Sequence, residues 1–127
     1  MSAYKIKIES IECVHQKDEI GASEIWLLAL SDGTTPSRYP VDPMSTYSID
    51  DGETWSIDGD LELEFDGCCN LTIYEQDKKL VLSTTDFLGC VYFTASSDPN
   101  TQLVATNGTD SGESDYSEFR ITFSWAS

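Results

Sequence analysis

Basic residues are scarce in this 127-residue chain: seven Lys and Arg stand against 23 Asp and Glu, which gives a net charge of −16 at pH 7. Without a basic stripe, the phosphate backbone of a nucleic acid finds almost no electrostatic support, so no nucleic acid is expected as a partner. No run approaches the roughly 20 apolar residues of a membrane span, and the first residues contain no apolar signal-peptide core. We therefore expect a soluble cytoplasmic protein without a transmembrane segment. Peripheral membrane association and non-classical export stay open as alternatives.

The motifs of common enzyme classes are also missing. The sequence has no Gly-rich phosphate loop, no nucleophile elbow and no His-Glu-x-x-His pair. Its four cysteines, Cys13, Cys68, Cys69 and Cys90, fit no zinc spacing, so buried or idle thiols are expected. The single histidine, His15, lies two residues from Cys13, and such a pair can activate a thiolate. A strand-end His beside a core Cys is the preferred interpretation, and no enzyme activity is expected.

Alternation with a period of two residues is what the sequence has in place of helical patterns. Leu61 to Phe65 and Phe119 to Trp125 alternate strictly between apolar and polar residues. Lys5 to Val14 alternates with a change of phase near Ser10, which predicts a β-bulge. Ile25 to Leu30 is a continuous apolar run, short enough for a buried strand.

Turn signals separate these segments at intervals of about eight to fifteen residues. Among them, Asp58-Gly59 has the composition of a two-residue hairpin turn. The segment from Arg38 to Asp51 contains prolines and predicts a long connection with an edge strand. The sequence thus predicts an all-β fold, a single antiparallel β-sandwich of about eight strands that occupies residues 1–127 as one domain.

Two loops concentrate acidic side chains. The stretch from Leu71 to Gly89 alternates as a strand and then delivers Glu75 and Asp77, with Asp86 following just before Phe-Leu-Gly. An earlier polar loop offers Asp18 and Glu24. If the sandwich brings both loops to one end, five carboxylates converge, and like charges that close require raised pKa values or a counter-cation. Oxygen-rich clusters of this kind suit Ca²⁺ better than Mg²⁺ or zinc.

At these two loops the sequence resembles the C-two domain, the calcium- and phospholipid-binding β-sandwich family found in protein kinase C and synaptotagmin. The family's first calcium loop reads roughly Asp-x-x-Gly-x-Ser-Asp, which matches Asp18-Glu-Ile-Gly-Ala-Ser-Glu24. Its third loop reads Asp-x-Asp and then Asp before two apolar residues and Gly, which matches Glu75-Gln-Asp77 and Asp86-Phe-Leu-Gly89. The resemblance implies a C-two-like sandwich that binds Ca²⁺ through Asp18, Glu24, Glu75, Asp77 and Asp86. Glu stands at positions 24 and 75, where the family's calcium binders usually have Asp.

A contact surface is expected at the tip of the second loop. Two of the seven basic residues, Lys78 and Lys79, precede Leu80-Val81-Leu82, and a cationic pair next to a small apolar wedge suits lipid headgroups. The alternative is that Leu80 to Leu82 pack back onto the sandwich or form a short strand. The predicted function is a non-enzymatic calcium-binding module that contacts a phospholipid membrane or a protein partner through its calcium loops.

The second hypothesis is a calcium-independent protein-interaction, lectin-like or toxin-associated β-sandwich whose acidic surface meets a basic partner. For the lectin-like form, Trp26, Trp55 or Trp125 would stack on a sugar, although aromatic residues of a small sandwich more often belong to its core.

Overall fold

A computed structural model describes residues 3–16, 23–32, 35–76, 85–107 and 116–126 of the chain. In these ranges the backbone forms strands, turns and bends but no helix. The strands are β1 (Tyr4–His15), β2 (Ser23–Ser31), β3 (Ser37–Tyr39), β4 (Tyr47–Ile49), β5 (Thr54–Phe65), β6 (Cys68–Gln76), β7 (Thr85–Thr94), β8 (Leu103–Asn107) and β9 (Ser117–Trp125).

The strands form two antiparallel sheets. A four-stranded sheet has the order β5-β1-β9-β8, and a five-stranded sheet has the order β3-β2-β6-β7 with β4 also paired to β2. The predicted all-β sandwich is therefore confirmed, with nine described strands where about eight were expected. One added strand arises because the edge segment predicted between 38 and 51 pairs with β2 twice, as β3 and as β4.

The core consists of the inward-facing apolar side chains of both sheets, among them Phe65, Phe93 and Phe119, which are 0% exposed. On β1 the pairing register shifts between Ile8 and Ser10 against both neighbouring strands. This bulge lets Ile8 and Ile11, three residues apart, both point into the core. The bulge predicted near Ser10 is thus confirmed.

The hairpin turn predicted at Asp58-Gly59 is wrong. Strand β5 continues through both residues, since Leu61 pairs with Ile8 of β1 and Ser56 pairs with Ser10 of the same strand. Residues 57–60 therefore stand opposite Glu9 alone, an irregularity in the pairing that does not reverse the chain. Asp58 and Gly59 have φ values of 55° and 83°, the left-handed conformation that a type I′ hairpin turn also requires. The Asp-Gly dipeptide is typical of this conformation, which here forms part of a β-bulge and not of a hairpin turn.

At Gly89 the backbones of β7 and β8, which belong to different sheets, come into close contact. The φ of Gly89 is +145°, and a Cβ there would lie 2.7 Å from the backbone nitrogen of Thr106. Around it, the Ser117 hydroxyl donates a hydrogen bond to the Leu88 carbonyl (2.6 Å) and the Asn107 side-chain amide donates to the Phe87 carbonyl (3.0 Å). A residue without a side chain is what allows this contact.

Candidate functional site

The two acidic loops do emerge at the same end of the sandwich. Strand β2 begins at Ser23, β6 ends at Gln76 and β7 begins at Thr85. Ile25 of β2 pairs with Glu75 of β6, and Glu75 pairs with Asp86 of β7, so these strand ends lie side by side. The strand ends that border the two loops therefore meet the condition under which the carboxylates were predicted to converge.

Glu75 and Asp86 form a cross-strand pair of like charges. Residues directly opposite on antiparallel strands project from the same side of the sheet, with Cβ atoms about 4.5–5.5 Å apart. Here that side is the inner one, because Ile25, which pairs with Glu75, is 0% exposed. Glu75 itself is only 6% exposed. Two carboxylates in this arrangement repel each other, and the burial of one of them raises the cost of its charge.

Glu24 lies on the other side of the same sheet. It precedes the inward-facing Ile25, so its side chain points outward, where the Thr46 hydroxyl donates a hydrogen bond to its Oε2 atom (3.2 Å). The structure therefore brings Glu75 and Asp86 together and directs Glu24 away from them. Asp18 and Asp77 lie outside the described residues, as do Lys78, Lys79, Leu80, Val81 and Leu82.

Within the described ranges, no group of three or more His, Cys, Asp and Glu side chains is placed to hold a metal ion. A site at this end would need Asp18 or Asp77 in addition to the pair on β6 and β7. The five-ligand set stays a prediction.

Gln16 is the centre of a polar network at this end that the sequence did not indicate. The side chain is 4% exposed. Its backbone N–H donates to Oδ1 of Asp51 (2.7 Å), its Nε2 donates to Oδ1 of Asp50 (3.1 Å), and its Oε1 accepts a hydrogen bond from the Ser23 hydroxyl. The network joins the end of β1 to the start of β2 and to the β4–β5 turn. The Asp-Asp-Gly sequence at 50–52 indicates a turn, but nothing local in the sequence connects it to Gln16.

The Cys13 and His15 pair is not arranged for nucleophilic catalysis. Cys13 is buried, and burial together with the nearby Asp51, Asp50 and Glu53 carboxylates raises the pKa of its thiol to about 12. The thiol therefore stays protonated at neutral pH. Nδ1 of His15 lies 3.5 Å from Oδ2 of Asp51, so this imidazole faces a carboxylate. The geometry agrees with a core Cys beside a strand-end His.

The tryptophans hypothesised to stack on sugars are occupied by protein contacts. Trp26 lies between the Arg38 guanidinium, 4.7 Å from its ring centroid, and the Tyr74 ring, stacked at 4.8 Å. Trp55 is 6% exposed and stacks on Tyr47 at 4.6 Å. Trp125 packs beside Tyr4, Phe65 and Phe123. With ring partners in place at all three, a lectin-like role through tryptophan stacking receives no support.

No family model matches the sequence, and no curated protein matches it either. Solved structures similar to this chain include the first C-two domain of plant extended synaptotagmin 1, at 9% identity and a TM-score of 0.48, which covers 100% of this chain and 98% of that one. A human GIVD cytosolic phospholipase A2, solved with a methyl gamma-linolenyl fluorophosphonate inhibitor and terbium chloride, has 10% identity and a TM-score of 0.43 over 97% of this chain. A Drosophila structure of C-two, DSL and EGF domains has 6% identity and a TM-score of 0.41 over 94% of this chain and 66% of that one.

This chain spans 17% of the phospholipase chain. The assignment of this chain to the antiparallel β-sandwiches rests on its own strand pairing. No helix formed by the described residues is long and apolar enough to cross a membrane.

Proposed function

We propose that this chain is a non-enzymatic calcium-binding module, and that the end bearing its first and second acidic loops contacts a membrane surface or a protein partner. The observation that supports the proposal is the pairing of Glu75 with Asp86 on adjacent strand ends. A buried carboxylate directly opposite a second one is stabilised by a divalent cation held between or beside them.

Calcium is the ion that this donor set favours. Carboxylates and carbonyl oxygens on loop-forming segments suit Ca²⁺, which accepts six to eight oxygen ligands at about 2.3–2.6 Å, whereas zinc prefers nitrogen and sulfur ligands. Strands β6 and β7 hold one side of the site in register, and the segments 17–22 and 77–84, which carry Asp18 and Asp77, connect to it directly. In this proposal Asp77 and Asp86 are the principal ligands.

The contact surface in this proposal is the basic and apolar segment from Lys78 to Leu82. This segment follows closely after Gln76, the last residue of β6, in the sequence, so in this proposal a cation bound by Glu75 and Asp86 would lower the negative potential acting on it. Even two bound Ca²⁺ ions would change the net charge only from −16 to −12, so the local field matters more than the total charge.

Calorimetric titration with Ca²⁺, together with thermal melts, tests the metal site. Any ligand that binds the native state alone must stabilise it, by about 2.7 kcal/mol at a free concentration 100 times the Kd. We expect heat of binding and a raised Tm with Ca²⁺ and a weaker response to Mg²⁺. Asp77→Asn and Asp86→Asn should each weaken Ca²⁺ binding tenfold or more, which is about 1.4 kcal/mol.

Glu62→Gln is the matched control, because it removes an exposed carboxylate from the outer face of the other sheet. If millimolar Ca²⁺ gives neither heat nor stabilisation of the wild-type chain, the metal site is refuted. Sedimentation with liposomes in Ca²⁺ and in chelator, for the wild type and Leu80→Asp, then examines the contact surface. A wild-type chain that stays in the supernatant under every condition removes the membrane as a partner.

A further inference from the structure

The two lateral sides of the sandwich differ in how they are closed. On one side β7 and β8 come from different sheets and are joined around Gly89, where the Asn107 side chain donates a hydrogen bond to the Phe87 carbonyl (3.0 Å). On the other side β5 and β3 are the last strands of their sheets. Among the described residues, no hydrogen bond joins these two strands. One side of the sandwich is therefore closed, and the other leaves a free edge on β5.

The opening on the β5 side is filled by aromatic rings near the start of that strand. There the Trp55 ring packs against the rings of Tyr39 and Tyr47, with centroids 5.5 and 4.6 Å away. Beside the last residues of β5 lies an open groove of about 210 Å³. Both sheets contribute to its lining, which consists of Ser31, Thr35, Ser37, Glu62, Leu63 and Glu64. Because both sheets contribute, the groove follows the edge of β5 and not its outer face.

The backbone along this groove is a regular strand edge. Leu61 to Phe65 pair one to one with residues 4–8 of β1, and the irregularity at 57–60 precedes them. In a strand with one neighbour, alternate residues direct their N–H and C=O groups away from that neighbour. Such an edge can bind an extended segment as an added strand, because backbone hydrogen bonds supply affinity whatever the sequence of the segment.

Carboxylates decide which strand this edge can accept. Alternate side chains in the second half of β5 are all acidic and exposed: Asp58, Asp60, Glu62 and Glu64. Like charges directly opposite each other destabilise a pair of strands. A second copy of this chain, paired through the same edge, would bring its own acidic row against this one, so self-pairing is disfavoured. A strand with basic side chains at alternate positions is the favoured occupant.

Strand β1 shows how such a strand fits against β5. Its Lys5-Ile6-Lys7 sequence pairs in register with Glu64-Leu63-Glu62. Nζ of Lys5 lies 3.2 Å from Oε1 of Glu64 and 3.9 Å from Oε2 of Glu62. The side chains of Glu64 and Glu62 are still 49% and 46% exposed, so their oxygen atoms can accept a cation from the free side as well.

We propose that the edge of β5 from Leu61 to Phe65 binds an extended basic segment of a protein partner as an added β-strand. Lys or Arg side chains at alternate positions of that segment lie beside Glu62 and Glu64. The side chains between them face the groove, whose three hydroxyl-bearing side chains favour small polar residues. The segment recognised therefore has the form Lys/Arg-x-Lys/Arg, with a small polar residue at x.

This edge lies at the opposite end of the sandwich from the two acidic loops. The groove is lined by Ser31, the last residue of β2, whereas Ser23, the first residue of the same strand, borders the first acidic loop. Binding at the edge therefore does not depend on the proposed cation site. The net charge of −16 attracts a basic segment, within a Debye length of about 8 Å at physiological ionic strength.

A fluorescein-labelled peptide of about eight alternating Lys and Thr residues is the probe. Its anisotropy is measured with the full chain at up to about 1 mM, in chelator, so that calcium plays no part. An added strand of this length buries less than a standard interface, so we expect a Kd of about 10 µM to 1 mM that weakens several-fold at high NaCl. A peptide with the same Lys and Thr residues in two blocks should bind several-fold more weakly, because its lysines cannot all lie on one side of a strand. Absence of binding by the alternating peptide, or equal binding by both, overturns the proposal.

Methylation of the peptide's backbone nitrogens separates strand pairing from charge attraction. In an added strand alternate residues direct their N–H groups toward β5, so either the Lys or the Thr residues donate these hydrogen bonds. Two methylated peptides, one modified at every Lys and the other at every Thr, carry the same charge. One of them should bind about tenfold more weakly than the other. Equal affinities of the two methylated peptides would contradict the added strand.

Charge reversal locates the binding edge. Glu62→Lys combined with Glu64→Lys should weaken binding of the alternating peptide about tenfold or more. The matched control, Asp42→Lys combined with Asp98→Lys, makes the same change in net charge at two exposed positions outside β5 and should weaken binding far less. Circular dichroism establishes that each variant is folded. Equal losses would refute the assigned edge, since total charge alone would then account for the binding.

Hydrogen exchange of the wild-type chain identifies the occupant of the edge. Bound peptide should slow the exchange of those backbone amides between Leu61 and Phe65 that face the free edge, and it should leave the amides of β8 unchanged. If the same amides slow instead as the concentration of the chain alone is raised, a second copy occupies the edge and the proposed basic partner is ruled out.

Discussion

The two sheets present different outer faces to solvent. On the four-stranded sheet, charged residues of both signs alternate across strands β5, β1 and β9; they include Lys5, Lys7, Glu12, Glu62, Glu64 and Arg120. Nζ of Lys5 lies 3.2 Å from Oε1 of Glu64 and 3.9 Å from Oε2 of Glu62. On the five-stranded sheet, the corresponding positions carry the Arg38–Trp26–Tyr74 stack and the exposed side chains of Leu30, Phe87 and Tyr92.

The difference is visible in the patterning of single strands. Strand β5 alternates Leu and Glu from Leu61 to Glu64, because one of its faces is core and the other is water. Strand β2 is apolar from Ile25 to Leu30 without interruption. Its inward residues, such as Leu27, are fully buried, while Leu30 on the other side is 44% exposed. The outward-facing apolar side chains of such a strand are not part of the core between the sheets, and in this structure they are only partly shielded from solvent.

The largest effect is expected where the two sheets meet. Gly89→Ala would place a Cβ 2.7 Å from the nitrogen of Thr106 and 2.8 Å from the carbonyl carbon of Ala105, in backbone with a φ of +145°. Backbone atoms cannot move aside as a flexible side chain can, so we expect a loss of about 3 kcal/mol or more in the free energy of unfolding. Urea denaturation measures it.

Gly52→Ala is the control for the left-handed backbone alone. Gly52 has a φ of +83° and nothing within 4 Å of its position for a Cβ, so its replacement should cost only about 1 kcal/mol. If both variants lost the same free energy of unfolding, the close contact of β7 with β8 would not be the reason for a glycine at position 89.

A second, smaller effect distinguishes the two faces through their arginines. Arg38→Gln removes the contact with Trp26 and the charged donor to three carbonyls, so we expect about 2 kcal/mol of destabilisation. Arg120→Gln, on the outer face of the other sheet, removes an exposed ion pair with Glu118 at 4.0 Å and should cost less than about 0.5 kcal/mol. Denaturation of both variants in low and high salt measures the difference. Similar losses of unfolding free energy for both variants would contradict the expected difference between the outer faces of the two sheets.

Local patterns predicted most of the fold. The spacing of the apolar residues changes phase near Ser10, and the structure has a β-bulge there. Asp58-Gly59 was misinterpreted because left-handed dihedrals suit both a hairpin turn and a bulge, and only the pairing of β5 with β1 decides between them. That pairing involves residues about 50 positions apart, which no local pattern records.

The candidate site was also predictable only in part, because local patterns reveal strand ends but not which strands pair. The alternation pattern placed Glu75 at the end of a strand and Asp86 where the chain re-enters a sheet, and only the strand pairing shows that the two lie opposite each other. The outward direction of Glu24 follows from its position directly before the inward-facing Ile25. The bond between Gln16 and Asp51 closes a separation of 35 residues and has no local signature.

The smallest effect is expected at the connection between the two sheets. Asp32 follows β2, and its carboxylate accepts hydrogen bonds from the backbone N–H groups of Asp66 (3.0 Å) and Gly67 (2.7 Å), where the chain passes from β5 to β6. These bonds lower the pKa of the Asp32 carboxyl from its usual value. A depressed pKa means that the stabilisation is present above the pKa of this carboxyl in the unfolded chain and is lost as the pH falls through its pKa in the folded chain.

Asp32→Asn should therefore lower the Tm at pH 7 and lower it less at pH 3, as thermal melts of the wild type and the variant can measure. Asp58→Asn, which removes an exposed charge from β5, controls for the change in net charge. If the Tm difference between wild type and Asp32→Asn were the same at both pH values, the hydrogen bonds to the ionised carboxylate would not be what joins this turn to β2.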